Sequence, residues 1–241
     1  MYLVRFQHPQ TGLPTDGKLI SELIQADGET FPRQDVRLLT PCVPTKIICV
    51  GRNYADHAKE LGNVVPEKPL LFLKPPSAVI GPEDVIVLPS SDTVHYEAEL
   101  AVVIGTRCKN VSAADAARVI LGYTCMNDVS DRVAQKWETN WVRAKAFDTS
   151  APLGPVILPA DEAREPFHVT LRLNGEIKQE GSTADLYFSI PILIETISAI
   201  MTLEPGDVIA TGTPAGVGPL TKGDVVEVAI DGVGILRNSV Q

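Results

Sequence analysis

Residues 94–105 read VHYEAELAVVIG, an apolar run that contains two carboxylates and ends at a glycine. Apart from those carboxylates, the run is rich in the Val, Ile and Ala residues typical of a buried strand. Side chains two residues apart in a strand share a face, so Glu97 and Glu99 are expected on the same side, with Cα atoms about 6–7 Å apart. A helix with the same spacing would place them on nearly opposite sides.

Two neighbouring carboxylates in an apolar strand repel each other and lose their hydration. A hard divalent cation such as Mg²⁺ or Mn²⁺ removes both penalties, because carboxylate oxygens are its preferred ligands. The alternative is the polar face of an edge strand, where Glu97 and Glu99 simply face water. Because Glu-x-Glu is a short and common pattern, this stretch alone leaves both interpretations open.

The bulk properties exclude several classes of protein. The chain has 241 residues, of which 44% are hydrophobic and 21% charged, as in an ordinary globular protein. Its net charge of −9 argues against a nucleic-acid partner, which would select a basic face. No apolar run approaches the roughly 20 residues of a membrane span, and the start does not resemble a signal peptide. We therefore expect a cytoplasmic protein without a membrane partner.

The cysteines support the same location. They are scattered along the chain without Cys-x-x-Cys spacing, which favours buried free thiols in a reducing compartment over disulfides or a zinc site. The four are Cys42, Cys49, Cys108 and Cys125.

Upstream of the central run, an apolar strand at 46–51 leads into a predicted helix at 52–62. His57 and Glu60 are three residues apart and therefore neighbours on one helix face. A carboxylate beside an imidazole orients the ring and raises its basicity, as a general base requires. The alternative is an ordinary His–Glu pair on an exposed helix.

Downstream, an apolar strand at 122–126 is followed by Asn127 and Asp128, a common position for a ligand residue. Asp128 is therefore the third candidate carboxylate, although an Asx turn would explain it equally well. Lys145 lies between small residues, and a partly buried lysine needs a carboxylate or a bound anion. Three carboxylates, one divalent cation and one lysine sum to zero charge, which leaves room for an anionic substrate.

The remaining pattern suggests a small β-rich N-terminal region at 1–44 and a larger unit at 45–241. A hairpin with an Asn-Gly turn is predicted at 169–178, and helices are predicted at 112–121 and 189–201. The loop at 212–219 is glycine-rich, so its backbone N–H groups either approach an anion closely or form a plain tight loop.

Together, five motifs resemble the fumarylacetoacetate hydrolase family, in the family's order from about Lys46 to the C-terminus. Each motif alone is weak, but the set is specific. The motifs are Gly51-Arg52-Asn53-Tyr54 with His57 and Glu60; His95-Tyr96-Glu97-Ala98-Glu99-Leu100; Asn127-Asp128 with Arg132 and Gln135; Lys145 before Phe147-Asp148; and Leu203-Glu204-Pro205-Gly206-Asp207 leading into Thr211-Gly212-Thr213-Pro214.

The resemblance implies a mostly β fold with a few short helices (α+β class), in which rolled, mixed sheets surround a metal site, usually in a homodimer. It also implies Mg²⁺ or Mn²⁺ held by Glu97, Glu99 and Asp128. The matching positions include a water-activating pair and an active-site lysine. These catalytic positions are His57, Glu60 and Lys145, and the substrate-binding positions are Arg52, Tyr54, Gln135 and Thr213.

The expected reaction is metal-assisted hydrolysis of a C–C bond in a 2,4-dioxo acid (an acylpyruvate or fumarylpyruvate). His57, oriented by Glu60, would take a proton from the attacking water, and Lys145 would stabilise the oxyanion. The first alternative is decarboxylation or tautomerisation of oxaloacetate or a related 2-oxo diacid. The second is a non-catalytic protein that keeps the fold and its ion. Substrate choice is expected to depend on loops at 62–68 and 132–143.

Overall fold

The computed structural model describes residues 1–60, 62, 64 and 66–241 and contains three β-sheets of eleven, three and five strands. The first half of these described residues contains the strands Tyr2–Gln7 (β1), Pro14–Ile20 (β2), Leu23–Ala26 (β3), Glu29–Pro32 (β4), Ile47–Gly51 (β5), Leu70–Lys74 (β6), Val79–Ile80 (β7), Val85–Ile86 (β8), Val94–Tyr96 (β9) and Ala98–Ile104 (β10).

The second half continues with Ile120–Asn127 (β11), Ser130–Asp131 (β12), Ala151–Pro159 (β13), His168–Leu173 (β14), Glu176–Ser182 (β15), Val208–Ala210 (β16), Gly218–Pro219 (β17), Val225–Ile230 (β18) and Gly234–Val240 (β19). The α-helices are Ala55–Glu60 (α1), Arg132–Trp137 (α2), Val142–Lys145 (α3) and Ile190–Ile200 (α4). Short 3₁₀ helices lie at Arg33–Asp35, Pro76–Ala78, Ala113–Val119 and Thr183–Asp185. The mostly β class with a few short helices is therefore confirmed.

Strand β10 is the centre of the largest sheet. It pairs antiparallel with β11 on one side and β16 on the other, and all seven of its residues are buried. Leu100 and Val102 enter one hydrophobic cluster, whereas Ala101 and Val103 enter a second cluster on the opposite face. Burial on both faces explains the uninterrupted apolar run in the sequence. It also rules out the edge-strand interpretation of this stretch.

The predicted continuous strand at 94–105 is wrong in one respect, because it is interrupted at Glu97. The Glu97 N–H donates to Asn127 Oδ1 (2.9 Å), and its carbonyl accepts from the Asp128 N–H (2.8 Å). The next N–H, of Ala98, donates to Gln179 Oε1 (3.0 Å). These side-chain and backbone partners replace ladder bonds where the chain crosses from the three-stranded sheet of β9 to the eleven-stranded sheet of β10.

Gln179 belongs to β15, in the five-stranded sheet, which runs in the order β15-β14-β18-β19-β8. All three sheets therefore meet at the two residues Glu97 and Ala98. The candidate metal ligand Glu97 lies at this junction and not within a regular strand.

The N-terminal strands β1–β4 form an antiparallel meander. Strand β1 also pairs with β13, with Leu3 opposite Ile157, so the meander continues the largest sheet. Phe6 and Ile24 are fully buried in the same hydrophobic cluster as β10. The boundary near residue 44 thus divides one continuous sheet, and the two-region organisation stays a prediction.

Of the hairpin and the two helices predicted at 169–178, 112–121 and 189–201, the hairpin and the second helix are confirmed. The hairpin of β14 and β15 has the positive φ angles of a type I′ turn, 53° at Asn174 and 85° at Gly175, and α4 begins with Pro191 in its first turn. The helix predicted at 112–121 is wrong in type and length, since a 3₁₀ helix covers only Ala113–Val119. The Ser112 hydroxyl donates to the Asp115 carboxylate and caps no backbone N–H group.

All four cysteines are free, and three of them are buried. None of the helices in the described ranges has the length and apolar character required to cross a bilayer.

A buried carboxylate joins the two segments that lead into β5 and β16. Asp207 accepts hydrogen bonds from Thr45 N (3.0 Å), Thr45 Oγ1 (2.7 Å), Lys46 N (3.2 Å) and Glu204 N (2.8 Å), and it also contacts Lys46 Nζ. Burial alone would raise its pKa, but the Lys46 ammonium and these donors hold the pKa of Asp207 below its ordinary value. The parallel pairing of β5 and β16 begins beside this carboxylate.

We expect Asp207→Ala to lower the free energy of unfolding by about 3 kcal/mol, because several buried donors lose their acceptor. Urea denaturation at neutral pH measures the change. Asp16→Ala, at a carboxylate that is 87% exposed, is the matched control and should change stability by less than about 0.5 kcal/mol. Because the folded pKa is lowered, the contribution of Asp207 is present above pH ~4 and is lost as the pH falls through the folded value. Equal stabilities of the two variants would contradict this role.

Candidate metal and substrate site

Three carboxylates converge at the sheet junction. Glu97, Glu99 and Asp128 are buried, and one oxygen from each lies within 4.8 Å of the others. The antiparallel register that sets Ala98 opposite Asn127 brings Asp128 beside the two glutamates. The structure thus brings together the three residues that the sequence suggested as metal ligands, despite the break at Glu97.

The electrostatics of this triad fit a divalent cation. Burial raises the pKa of Glu99 well above its usual range, and the charges of Asp128 and Glu97 raise it further. One donor, the Gly212 N–H at 2.8 Å from Glu99 Oε2, offsets only part of this. A cation on the triad would remove the repulsion, and three carboxylate oxygens are ligands suited to Mg²⁺ or Mn²⁺.

Lys145 bridges two members of the triad. Its Nζ donates to Glu97 Oε2 (2.7 Å) and Asp128 Oδ2 (2.8 Å), and it lies 4.9 Å from the centre of the Phe72 ring. Burial would lower its pKa, but the Asp128 and Glu97 carboxylates hold the pKa of Lys145 above its ordinary value. The lysine that the sequence expected beside a carboxylate is therefore a buried ammonium.

Lys74 is a second buried cation, and sequence reasoning missed it. Its Nζ lies 2.8 Å from Asp128 Oδ1 and donates to the carbonyls of Val129 (3.1 Å), Lys145 (2.6 Å) and Ser150 (2.8 Å). Burial lowers the pKa of Lys74, but the surrounding oxygens favour the ammonium, since each N–H finds an acceptor. In the sequence it only ends an apolar strand before a proline, which gives no sign of these partners.

Arg132 is the third cation. Its Nη2 donates to Glu97 Oε1 (2.5 Å) and its Nη1 to Gln135 Oε1 (2.8 Å). The Asp131 carboxylate caps the start of α2 by accepting hydrogen bonds from two backbone N–H groups in the first turn of the helix. This cap fixes the start of the helix and so places Arg132 at the site. Arg132 and Lys145 hold the pKa of Glu97 below its ordinary value, although burial alone would raise it.

The charge balance drawn from the sequence therefore needs correction. It counted Lys145 but omitted Lys74 and Arg132. In formal charges these three carboxylates and three cations cancel, so a bound divalent cation would leave an excess of two positive charges among these groups. This excess favours a dianionic substrate.

The candidate base pair lies on α1. His57 Nδ1 is 3.3 Å from Glu60 Oε2, and His57 is buried. Glu60 also accepts from the Gly216 N–H, at 3.0 and 3.2 Å from its two oxygens. Because Glu60 occupies Nδ1, the imidazole presents Nε2 as its remaining nitrogen. His57 is buried whereas Glu60 is exposed, so the alternative of an ordinary exposed pair fits only one of the two side chains.

The glycine-rich loop at 212–219 places backbone N–H groups close to negative charge, as one of the two interpretations expected. The negative groups are carboxylates of the site itself. Gly212 donates to Glu99, and Gly216 donates to Glu60. Gly212 has a φ of 107°, and a Cβ there would lie 2.8 Å from Asn53 Cβ. The loop therefore connects a candidate metal ligand to the candidate base pair.

These groups surround a cavity with a volume of about 480 Å³. Its lining contains cationic, acidic and aromatic side chains as well as two histidines. The lining residues are Val50, Gly51, Arg52, His57, Phe72, Thr93, His95, Glu97, Glu99, Asp128, Arg132, Gln135, Lys136, Trp141, Lys145 and Thr213. Arg52, Gln135 and Thr213, three of the four predicted substrate-binding residues, are among them.

Tyr54, the fourth, is not brought to the cavity. It is buried and is not among the lining residues. A Cβ on Gly181 would lie 3.6 Å from its ring, and its hydroxyl has no hydrogen-bond partner among the described residues. His95 does line the cavity, and sequence reasoning gave it no role. Burial, with the charge of Arg132, lowers the pKa of His95 to about 4, so its imidazole is neutral at neutral pH.

Of the two loops expected to govern substrate choice, one contributes to the cavity lining and the other does not, as far as its residues are described. Segment 132–143 supplies four lining residues, which are Arg132, Gln135, Lys136 and Trp141. Segment 62–68 includes Asn63 and Val65, which lie outside the described residues. Its described residues do not line the cavity.

The sequence and the fold both match known proteins. Residues 46–241 match the sequence model of the family described as fumarylacetoacetate (FAA) hydrolase, C-terminal. An oxaloacetate tautomerase of Bacillus subtilis is 43% identical over 225 residues, which cover 87% of this chain and 75% of that protein.

Solved structures also match this chain over its full length, and two of them have informative names. A 5-carboxymethyl-2-hydroxymuconate delta-isomerase from Mycobacterium smegmatis has 45% identity and a TM-score of 0.93 over 98% of its own chain. A maleylpyruvate hydrolase from Sphingobium sp. SYK-6, in complex with manganese(II) and pyruvate, has 34% identity and a TM-score of 0.85 over 98% of its chain. The relatives are thus a tautomerase, an isomerase and a hydrolase. With this match over most of its length and these relatives, the chain belongs to the fumarylacetoacetate hydrolase family.

Proposed function

We propose that this protein is a divalent-metal-dependent enzyme that interconverts the keto and enol forms of oxaloacetate or a closely related 2-oxo diacid. The observation that carries the proposal is the buried triad of Glu97, Glu99 and Asp128 surrounded by Lys74, Lys145 and Arg132. A divalent cation on the triad leaves two excess positive charges, which a dicarboxylate neutralises. The tautomerase named among the relatives supports the same substrate class.

Further cations could bind the carboxylate at the far end of a diacid. Arg52 and Lys136 line the cavity in addition to Arg132 and Lys145. Both are partly exposed to solvent, so they are available to an entering anion. We propose that they bind the second carboxylate, while Thr213 and the metal end of the cavity bind the 2-oxo acid group.

A cation held by the triad would polarise the 2-oxo group as a Lewis acid and so acidify the neighbouring carbon. The protein must then move one proton. The Nε2 atom of His57 takes the proton from C3 of the substrate and returns it to the oxygen of the 2-oxo group. Glu60 holds the imidazole ring in position throughout. Lys145 keeps its proton and stabilises negative charge as it develops on that oxygen.

Hydrolysis of a 2,4-dioxo acid is the second candidate. The pairing of His57 with Glu60 favours it, because an oriented imidazole can equally take a proton from an attacking water. A solved relative named as a maleylpyruvate hydrolase, with manganese and pyruvate bound, supports it as well. The sequence alone favoured hydrolysis. The two additional buried cations favour a diacid substrate in either reaction, and the tautomerase relative moves tautomerisation ahead.

The complete set of triad, base pair and buried lysines argues against a non-catalytic protein. Decarboxylation of oxaloacetate stays an alternative that the assay below separates, because it releases CO₂. The homodimer and the cytoplasmic location stay predictions.

We expect the protein to accelerate the enol-to-keto conversion of oxaloacetate when Mn²⁺ or Mg²⁺ is present, and to lose the activity in a chelator. Ultraviolet absorbance of the enol follows the reaction, while assays for pyruvate and CO₂ detect decarboxylation. Acetylpyruvate is tested in parallel for release of acetate and pyruvate. Cleavage of acetylpyruvate without any effect on oxaloacetate would replace the tautomerase proposal with hydrolysis.

Glu99→Gln should weaken Mn²⁺ binding at least about 100-fold, since one of three anionic ligands becomes a neutral amide. Isothermal titration calorimetry measures the affinity. Glu180→Gln, at a side chain that is 57% exposed, removes the same charge elsewhere and should bind Mn²⁺ normally. Unchanged Mn²⁺ affinity in Glu99→Gln would exclude the triad as the metal site.

His57→Gln should lower kcat by about 10²–10⁴-fold, because the proton-transfer group is lost. Its Mn²⁺ affinity should remain that of the wild type, since His57 is not one of the three ligands. Glu60→Gln should cause a smaller loss, because the imidazole remains but is less well oriented. If His57→Gln retains full turnover of oxaloacetate and acetylpyruvate alike, this histidine is not the base in either reaction.

A further inference from the structure

Gln179 is a buried amide that connects the metal-ligand strand to the substrate loop. It lies on β15 and is 1% exposed. Its Oε1 accepts from the Ala98 N–H (3.0 Å), between Glu97 and Glu99. Its Nε2 donates to Thr213 Oγ1 (2.8 Å) and to the Pro214 carbonyl (2.8 Å). One side chain therefore contacts both halves of the site.

The partners fix which end of the amide faces which group. The Ala98 N–H can only donate, and the Pro214 carbonyl can only accept, so the oxygen must face Ala98 and the nitrogen must face Pro214. The second hydrogen of the NH₂ group is donated to Thr213 Oγ1. In this arrangement the Thr213 hydroxyl oxygen accepts.

An accepting hydroxyl still has a hydrogen of its own to donate. Among the described residues, Gln179 is the only hydrogen-bond partner of Thr213 Oγ1. Thr213 is 3% exposed and lines the cavity. The hydrogen of its hydroxyl is thereby left for a group inside the cavity.

Two glycines allow β15 and the loop to approach closely enough for this arrangement. A Cβ on Gly181 would lie 2.6 Å from Pro214 Cβ, and a Cβ on Gly216 would lie 2.1 Å from the Lys178 carbonyl oxygen. Both distances are too short for any side chain. These close contacts on either side of Gln179, one with the Pro214 side chain and one with the Lys178 carbonyl, therefore hold the amide beside Thr213.

We propose that Gln179 is a positioning residue that holds the Thr213 hydroxyl as a hydrogen-bond donor to the carboxylate of the bound 2-oxo acid. This inference rests on the proposed function, in which Thr213 contacts the substrate. Gln179 does not touch the substrate itself. Its Oε1 end, bonded to Ala98, sets the position of that donor relative to the two glutamates of the triad.

A double-mutant cycle tests the proposal with oxalate, a small dicarboxylate that can bind the metal-loaded site without reacting. The variants are Gln179→Met, Thr213→Val and the two combined, each loaded with Mn²⁺. Calorimetry measures the Kd of oxalate and, separately, the Kd of Mn²⁺. The KM and kcat for oxaloacetate are measured on the same proteins.

We expect each single substitution to weaken oxalate binding and raise KM about tenfold, the usual effect of losing one hydrogen bond to an anion. The combined variant should be no weaker than Thr213→Val alone, because Gln179 acts only through that hydroxyl. The affinity for Mn²⁺ and kcat should change less than about threefold. Gln25→Met, at an exposed glutamine on β3, is the control and should match the wild type.

Several outcomes would overturn the inference while leaving the proposed function intact. They are an unchanged oxalate Kd in Gln179→Met, effects that multiply to about 100-fold in the combined variant, or a loss of Mn²⁺ affinity as large as the loss of oxalate affinity. If Gln179→Met does not fold, Gln179→Asn keeps a neutral amide that is one methylene too short to reach both Ala98 and Thr213, and it should give the same shift and the same lack of additivity. A wild-type protein that neither binds oxalate nor acts on oxaloacetate would instead overturn the proposed function, and this inference with it.

Discussion

The cost of removing three carboxylates from water is the constraint on which the rest of the site depends. Glu97, Glu99 and Asp128 are buried within reach of one another, so the fold must supply compensating charge. Three buried cations and the Gly212 N–H serve this need, and a divalent ion held by the triad would serve it further. The unusual density of buried ionic groups is thus the direct result of placing an acidic triad inside a β-sheet core.

The sheet architecture explains why these groups come from distant parts of the sequence. Lys74 ends β6, Lys145 ends α3, and Arg132 begins α2, yet all three contact the triad. Hydrogen bonds to Ser150 and Val129 further tie Lys74 to the segments on either side of α2 and α3. The positions of the cations are therefore fixed by backbone contacts as well as by the charges they neutralise.

Much of this arrangement could be predicted from the sequence, because alternation and turn chemistry act locally. The buried run of β10, the Asn174-Gly175 hairpin and the start of α4 at Pro191 are examples. Interactions across long sequence separations could not be predicted. Lys74 and Gln179 gain their roles only from partners in other sheets, and the strand break at Glu97 arises from Asn127 and Gln179 replacing ladder bonds. Spacing and residue chemistry indicated the carboxylates, the His57–Glu60 pair and Lys145, and the family resemblance added the substrate-binding positions. Neither carried information about these supporting contacts.

The meeting of three sheets at Glu97 and Ala98 has a consequence for the lifetime of the protein. A cation that binds the triad recognises the folded state, because Glu97, Glu99 and Asp128 come together only when the chain segments at this junction are assembled. Such a ligand adds to the unfolding free energy of the entire chain in proportion to the logarithm of its concentration. The supply of metal would then govern how long the folded protein survives heat and proteolysis, in addition to how fast it works.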